Sequence, residues 1–162
     1  MNIFVLDSDP VQAARYLADK HVPKMLLESC QLLSTAHHHY NTPQAESLYK
    51  KAHYNHPATI WCRESSSNYL WLLKHTFGIN EEFEARRGKK HKSASLLPLL
   101  SFIPWGIPDK GLTPFAQCMP EKYKVNGDAV TAYRNYYMGD KASFASWNWP
   151  NTSEPDWWTT NE

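Results

Sequence analysis

The chain has 162 residues, enough for one domain with a buried core, and 14% of them are aromatic, including seven Trp and nine Tyr. Its formal net charge is +1, which argues against a nucleic-acid binder that works by charge alone, because phosphate neutralisation needs a strong basic excess. Three scattered cysteines, Cys30, Cys62 and Cys118, form no C-x-x-C pair and give neither a disulfide framework nor a thiolate metal site; no leader pattern or membrane-length apolar run is visible, so the expectation is a soluble cytoplasmic protein with no membrane partner.

Residues 2–6, Asn-Ile-Phe-Val-Leu, are a short apolar run with no second strand nearby, and are expected to form a buried arm. Asp9-Pro10 reads as an N-cap followed by proline at the first helical position, opening a short helix to about Ala18. A second helix begins near Pro23. Met25, Leu26, Ser29, Leu32, Leu33 and Ala36 give it one apolar stripe; Lys24, Glu28, Gln31 and Thr35 give it a polar one. Glu28 therefore projects from the middle of a half-core helix, with Lys24 one turn before it. The same spacing also suits an ordinary solvated i,i+4 pair.

Asn41-Thr42-Pro43 ends that helix, and 41–55 is a polar loop with a helical turn. His56-Pro57 starts the next block, and a long helix follows from about Ser67 to Arg87, with Gly78 and Asn80 as candidate kinks. Its end is basic (Arg86, Arg87, Lys89, Lys90, His91, Lys92) and Gly88 suits the stop. Ser93–Leu100 is a short helix interrupted by Pro98. Residues 102–124 are rich in Pro and Gly, an ordered loop in which Trp105, Phe115 and Met119 are expected to be buried. Asn126-Gly127-Asp128 caps a last helix, about 128–142, with Val130, Tyr133, Tyr137 and Phe144 on its core side. A Trp-rich tail, 147–162, closes the chain. The fold class is all-α: one compact domain, 1–162, with long ordered loops.

One resemblance runs through these elements. Ala18-Asp19-x-His21-Val22, then five residues, then Glu28, resembles the start of the phage-type pyrimidine-dimer DNA glycosylases (endonuclease V family), which carry Ala-Asp-x-His-Leu before a catalytic glutamate. Pro57-Ala58 and Arg87-Gly88 are similar to the ends of a Ser-Pro-Thr … Arg-Gly block, and Pro155-x-Trp157-Trp158 is similar to a Pro-x-Trp-Tyr tail. The resemblance implies that a main-chain amine attacks the sugar carbon C1′, displaces the base and forms an imine, that the glutamate orients and protonates sugar atoms, and that strand cleavage follows by β-elimination. It places Met1 and Glu28 in the catalytic roles. An α-amine titrates near ~8, which leaves a usable neutral fraction at neutral pH. This chain departs from the pattern in three places: residue 2 is the bulky Asn, so Met1 itself would have to supply the amine, and Leu27 and Gln31 stand where the resembled enzymes carry arginines.

Other constellations point the same way or stay neutral. Asp19, His21 and His56 could join Glu28 in space, or Asp19 could simply hold a helix-start histidine. Lys24 and Gln31 flank Glu28. Arg86, Lys89, His91, Lys124, Arg134 and Tyr137 belong to a basic–aromatic set that suits a nucleotide, with charge for phosphate and ring faces for the base, or a solvated helix end beside a tyrosine core. His37-His38-His39 cannot share one ion, because successive helical side chains point ~100° apart, and no P-loop or G-x-G-x-x-G occurs. No metal or cofactor is expected. The functional readings are an endonuclease V-like DNA N-glycosylase/AP lyase; a phage-type protein that binds, sequesters or cleaves a small signalling nucleotide in the host cytoplasm; or an interaction protein docking through its Trp-rich tail. The partner is DNA or a small nucleotide, with a homo-oligomer left open.

Overall fold

A computed structural model describes residues 1–159; residues 160–162, the end of the Trp-rich tail, lie outside the described residues. Among those described there are six α-helices and no strand: α1 Pro10–Arg15, α2 His21–His39, α3 Pro57–Glu64, α4 Ser66–Arg87, α5 Leu97–Leu100 and α6 Ala129–Asp140. The all-α expectation holds. No helix among them is long and apolar enough to cross a membrane.

The helix boundaries follow local chemistry. Asp9 caps α1 by accepting from the Val11 and Gln12 amides at 2.8 and 3.1 Å. The helix stops at Arg15, three residues before the sequence suggested, because the chain must turn at Leu17–Asp19 to deliver Asp19 into a buried network. Gly88 adopts φ +66° and ends α4. Two imidazoles act as caps that sequence rules favouring Ser, Thr, Asp and Asn do not anticipate: His56 Nδ1 accepts from Ala58 N at 3.1 Å, and His91 Nδ1 accepts from Ser93 N at 3.0 Å.

α4 is the central helix, packed on α1, α2 and α3. Apart from the terminal Arg87, its exposed positions, Leu70, Lys74, Phe77, Glu81 and Ala85, form a single stripe at i, i+4, i+7, i+11 and i+15; most of its other positions are buried. Gly78 does not kink it. A Cβ at Gly78 would stand 3.0 Å from Ala14 Cβ and 3.3 Å from Val11 Cα, so the glycine allows α1 to lie against α4. The apolar stripe of α2 is buried as expected. Its polar stripe is not the solvated face that spacing allowed: Glu28 and Thr35 are buried too, Thr35 beneath loop 50–56, whose Ala52 N donates to Thr35 Oγ1 at 3.1 Å.

The N-terminal arm is buried from Ile3 to Leu6 without pairing as a strand. Phe4 stacks on His21 with ring centroids 4.5 Å apart. Trp147 is buried, and Trp157 and Trp158 lie edge-on to Tyr16 and Trp147, so these tail rings complete the core. Trp105 differs from expectation. It is 91% exposed, at the tip of a loop whose Pro and Gly provide no periodicity from which burial can be read.

Candidate active site

Two clusters of polar side chains flank the first half of α2. The first lies at its start. Arg86, buried at the end of α4, donates to Leu17 O (2.8 Å), Arg15 O (3.0 Å), Asp19 Oδ1 (3.2 Å) and Glu82 Oε1 (2.9 Å). The other oxygen of Asp19 accepts from the amides of Asn148 and Trp149 at 2.7 and 3.0 Å. Asp19 therefore ties the α1–α2 turn to α4 and to the C-terminal segment. His21 Nδ1 lies 2.6 Å from the Tyr137 hydroxyl, which also accepts from Ala18 N at 3.2 Å. Burial, then Lys141 and Lys24, push His21 down to about 3, so it is neutral at physiological pH. Asp19, His21, Arg86 and Tyr137 are brought together, but around one another.

The second cluster lies one and a half to two turns further on. The Met1 amine sits 3.1 Å from Glu28 Oε1. The Met1 side chain is only 3% exposed while the residue as a whole is half-buried, so the surface Met1 presents is its main chain. The second oxygen, Glu28 Oε2, is buried and has no hydrogen-bond partner among the described residues. Buried carboxylate oxygens are normally satisfied, so an unpartnered one calls for an explanation, a catalytic role or a bound group among them. His56 is the third member. Burial lowers its basicity first; the Met1 amine and His53 lower it further, and Glu28 opposes them, which places the ring within electrostatic reach of both the amine and the carboxylate. Because Nδ1 accepts from Ala58 N, the proton of the neutral ring is on Nε2, which leaves an N–H donor.

Asn2 holds the amine in place. Its Nδ2 donates to Cys118 O at 2.8 Å, and its Oδ1 accepts from Ile3 N and from the Tyr133 hydroxyl, both at 2.8 Å. Read from the sequence, Asn2 is only a bulky second residue. Its partners are 116 and 131 positions away, so no local signal reveals the clamp.

The remaining sequence candidates are dispersed. Lys24 is exposed one turn before Glu28, and Gln31 is half-buried one turn after it. Lys124 is paired with Glu121 at 2.7 Å. His91 packs edge-on to Phe83, and Lys89 is exposed. Arg134 donates to Leu6 O and Asp7 Oδ2 at 2.8 and 3.2 Å and lies over the Trp157 ring. Arg86, Arg134 and Tyr137, the strongest members of the set read as suiting a nucleotide, are thus engaged inside the fold. The three consecutive histidines point to three different partners: His37 to Thr42 and Tyr69, His38 to Tyr49 O, His39 to Tyr54. A surface groove lined by Thr113, Phe115, Gln117, Lys124 and their neighbours includes neither Met1 nor Glu28. Its shape is that of a cleft, but its one carboxylate, Glu121, is already paired, so the chemistry points to the Met1–Glu28 corner instead.

Both clusters carry residues of one short motif, Asp19 and His21 in the first and Glu28 in the second. The sequence profile of the pyrimidine dimer DNA glycosylases matches residues 1–96, a span that contains both clusters except for their contacts with α6, residues 116–118 and the C-terminal segment. No curated protein and no solved structure matches the chain. By the match over more than half of its length, the chain belongs to the pyrimidine dimer DNA glycosylase family.

Proposed function

We propose that the chain is a DNA N-glycosylase with AP lyase activity, in which the Met1 amine is the nucleophile and Glu28 its proton partner. The observation that carries this reading is the 3.1 Å contact between the amine and a carboxylate whose other oxygen is buried and unpartnered. Glu28 Oε1 is placed to take a proton from the ammonium, which frees the nitrogen lone pair. The lone pair bonds to C1′ and the C1′–N bond breaks; the base leaves with that electron pair and takes up the proton that the attacking nitrogen sheds. Glu28 returns its own proton to the sugar ring oxygen as the C1′–O4′ bond breaks and the nitrogen lone pair closes the imine. Transfer of a C2′ proton to the Glu28 carboxylate, with cleavage of the C3′–O3′ bond, then expels the 3′ phosphate. His56, neutral and with its Nε2–H free, supplies a donor for a sugar or phosphate oxygen. DNA is the substrate class the family implies.

Met1 takes the nucleophile's place here because Asn2 is both too large to favour removal of the initiator methionine and fixed by its three hydrogen bonds. The test is Glu28→Gln, which keeps the size and one acceptor but cannot carry the proton. Strand cleavage of duplex DNA containing a pyrimidine dimer should fall by at least ~100-fold, with binding of the same duplex retained. Cleavage within a few-fold of the unaltered protein would refute the assignment.

A further inference from the structure

Of the seven tryptophans, Trp105 alone stands out as a large exposed ring, 91% accessible, with Phe102 and Ile103 beside it at 59% and 43%. The loop that presents it is held firmly. Pro104 is buried. Ser66 N donates to Pro108 O at 2.8 Å, Lys110 N to Ser65 Oγ at 3.0 Å, and Thr113 N to Asn68 Oδ1 at 2.9 Å. Gly106, at φ +95°, lies against the Tyr40 ring. A rigid loop that keeps its largest ring in water is arranged to give that ring to something else.

The chemistry beneath the ring suggests what that is. Tyr40 packs edge-on to His39, His39 bonds to the Tyr54 hydroxyl, and the Tyr54 ring carries the Arg63 guanidinium at 3.9 Å and the Lys51 ammonium at 4.7 Å. Lys50, Lys51 and Lys110 are exposed. Two exposed carboxylates lie on the same segments and are engaged locally: Glu64 Oε2 accepts from the Thr113 hydroxyl, and Asp109 Oδ1 accepts from Gly111 N. Cations interleaved with rings suit a phosphate backbone with bases.

The strip leads to the candidate active site. Glu28 and His39 are eleven residues apart on α2, three turns along one face, or about 16 Å. Loop 50–56 lies along this helix, with Ala52 on Thr35, then Tyr54 beside His39, then His56 within electrostatic reach of the Met1 amine. Sixteen ångströms is the rise of about five base pairs. With a net charge of only +1, stacking has to supply affinity that charge does not.

We propose that Trp105 is a second DNA contact, a base-stacking residue near the His39 end of α2, which lies about five base pairs of rise from Glu28, with Lys51 and Lys110 on phosphate. The proposal rests on the DNA-glycosylase reading for its ligand and is tested apart from the chemistry. The full chain and its Trp105→Ala and Trp105→Phe variants are titrated with a labelled 20-base-pair duplex carrying a tetrahydrofuran abasic site, which cannot form an imine. Trp105→Ala is expected to raise Kd by roughly tenfold, Trp105→Phe by much less, and neither should change Tm. A duplex cut to three base pairs on one side of the lesion should abolish the difference. At saturating pyrimidine-dimer duplex, the single-turnover cleavage rate of Trp105→Ala should match that of the unaltered chain. Equal Kd values for all three proteins would overturn the proposal, as would sedimentation showing that Trp105→Ala breaks a homo-oligomer without affecting DNA binding. If Kd depends on Trp105 but no cleavage occurs with any protein, the contact stands and the glycosylase chemistry falls; cleavage with equal Kd values gives the reverse.

Discussion

Asp19 and Glu28 lie nine residues apart, both are buried, and both face a cation, yet their surroundings differ. Asp19 faces Arg86, and its two oxygens meet three donors, a guanidinium and two backbone amides. Glu28 faces the Met1 amine with one oxygen, and its other oxygen has no partner among the described residues. The first arrangement is complete and resists change, as a structural joint should. The second is incomplete in the folded chain, as a site that awaits a substrate should be. Saturation of hydrogen-bonding capacity, more than burial or charge, separates these two carboxylates.

The difference can be broken first at the joint. Arg86→Ala leaves the buried Asp19 and the half-buried Glu82 without their cation and strands two backbone carbonyls, so it should lower unfolding stability by about 3–5 kcal/mol, read as a drop in the urea midpoint. A loss under ~1 kcal/mol would mean that the joint carries no weight.

Acid offers a second probe. His21, His37 and His75 are buried and held at about 3, about 4 and about 4, each chiefly by desolvation, below the ~6.5 of a free imidazole. Above pH ~6.5 neither the folded nor the unfolded chain protonates them, and stability is at its full value. As pH falls below that, the unfolded chain binds three protons that the folded core refuses. Stability should therefore decline by ~1.4 kcal/mol per pH unit for each histidine, down to pH about 4 for His37 and His75 and about 3 for His21. Denaturant melts between pH 7 and 4 check this; a flat profile would contradict it.

The smallest stability effect is expected at the incomplete site. Glu28→Gln removes a carboxylate oxygen that has no partner and still offers an acceptor to an amine whose main chain meets solvent, so stability should shift by less than ~1 kcal/mol even as cleavage collapses. A loss comparable to that of Arg86→Ala would place Glu28 with Asp19 among the structural residues.

Much of this architecture was legible in the sequence because it is local. Asp9-Pro10, His56-Pro57, Gly88 and Asp128 punctuate the helices, and 3.6-residue periodicity on α2 places Glu28 on the polar stripe of a half-core helix. The site was half legible. Periodicity gave Glu28 a position, the resemblance gave it and Met1 a role, and His56 was named as a residue that could join them. The remainder depends on contacts that spacing cannot encode. Whether Asp19 is a ligand or a joint is decided by Arg86, 67 residues away; Asn2 is a clamp because of Cys118 and Tyr133; and the tail rings are internal because Tyr16 and Tyr137 receive them. Trp105 was misread for the opposite reason: a large apolar ring was expected to be buried, and no term of the sequence pattern opposed that expectation.

The central claim concerns one nitrogen atom, and it is tested by reduction with borohydride during reaction with duplex DNA containing a pyrimidine dimer, followed by peptide mass mapping of the trapped product. The expected product is a covalent protein–DNA adduct carried on the α-amine of Met1, lost on Glu28→Gln. An adduct mapping to a lysine side chain, or DNA cleaved with no adduct at all, would contradict the account.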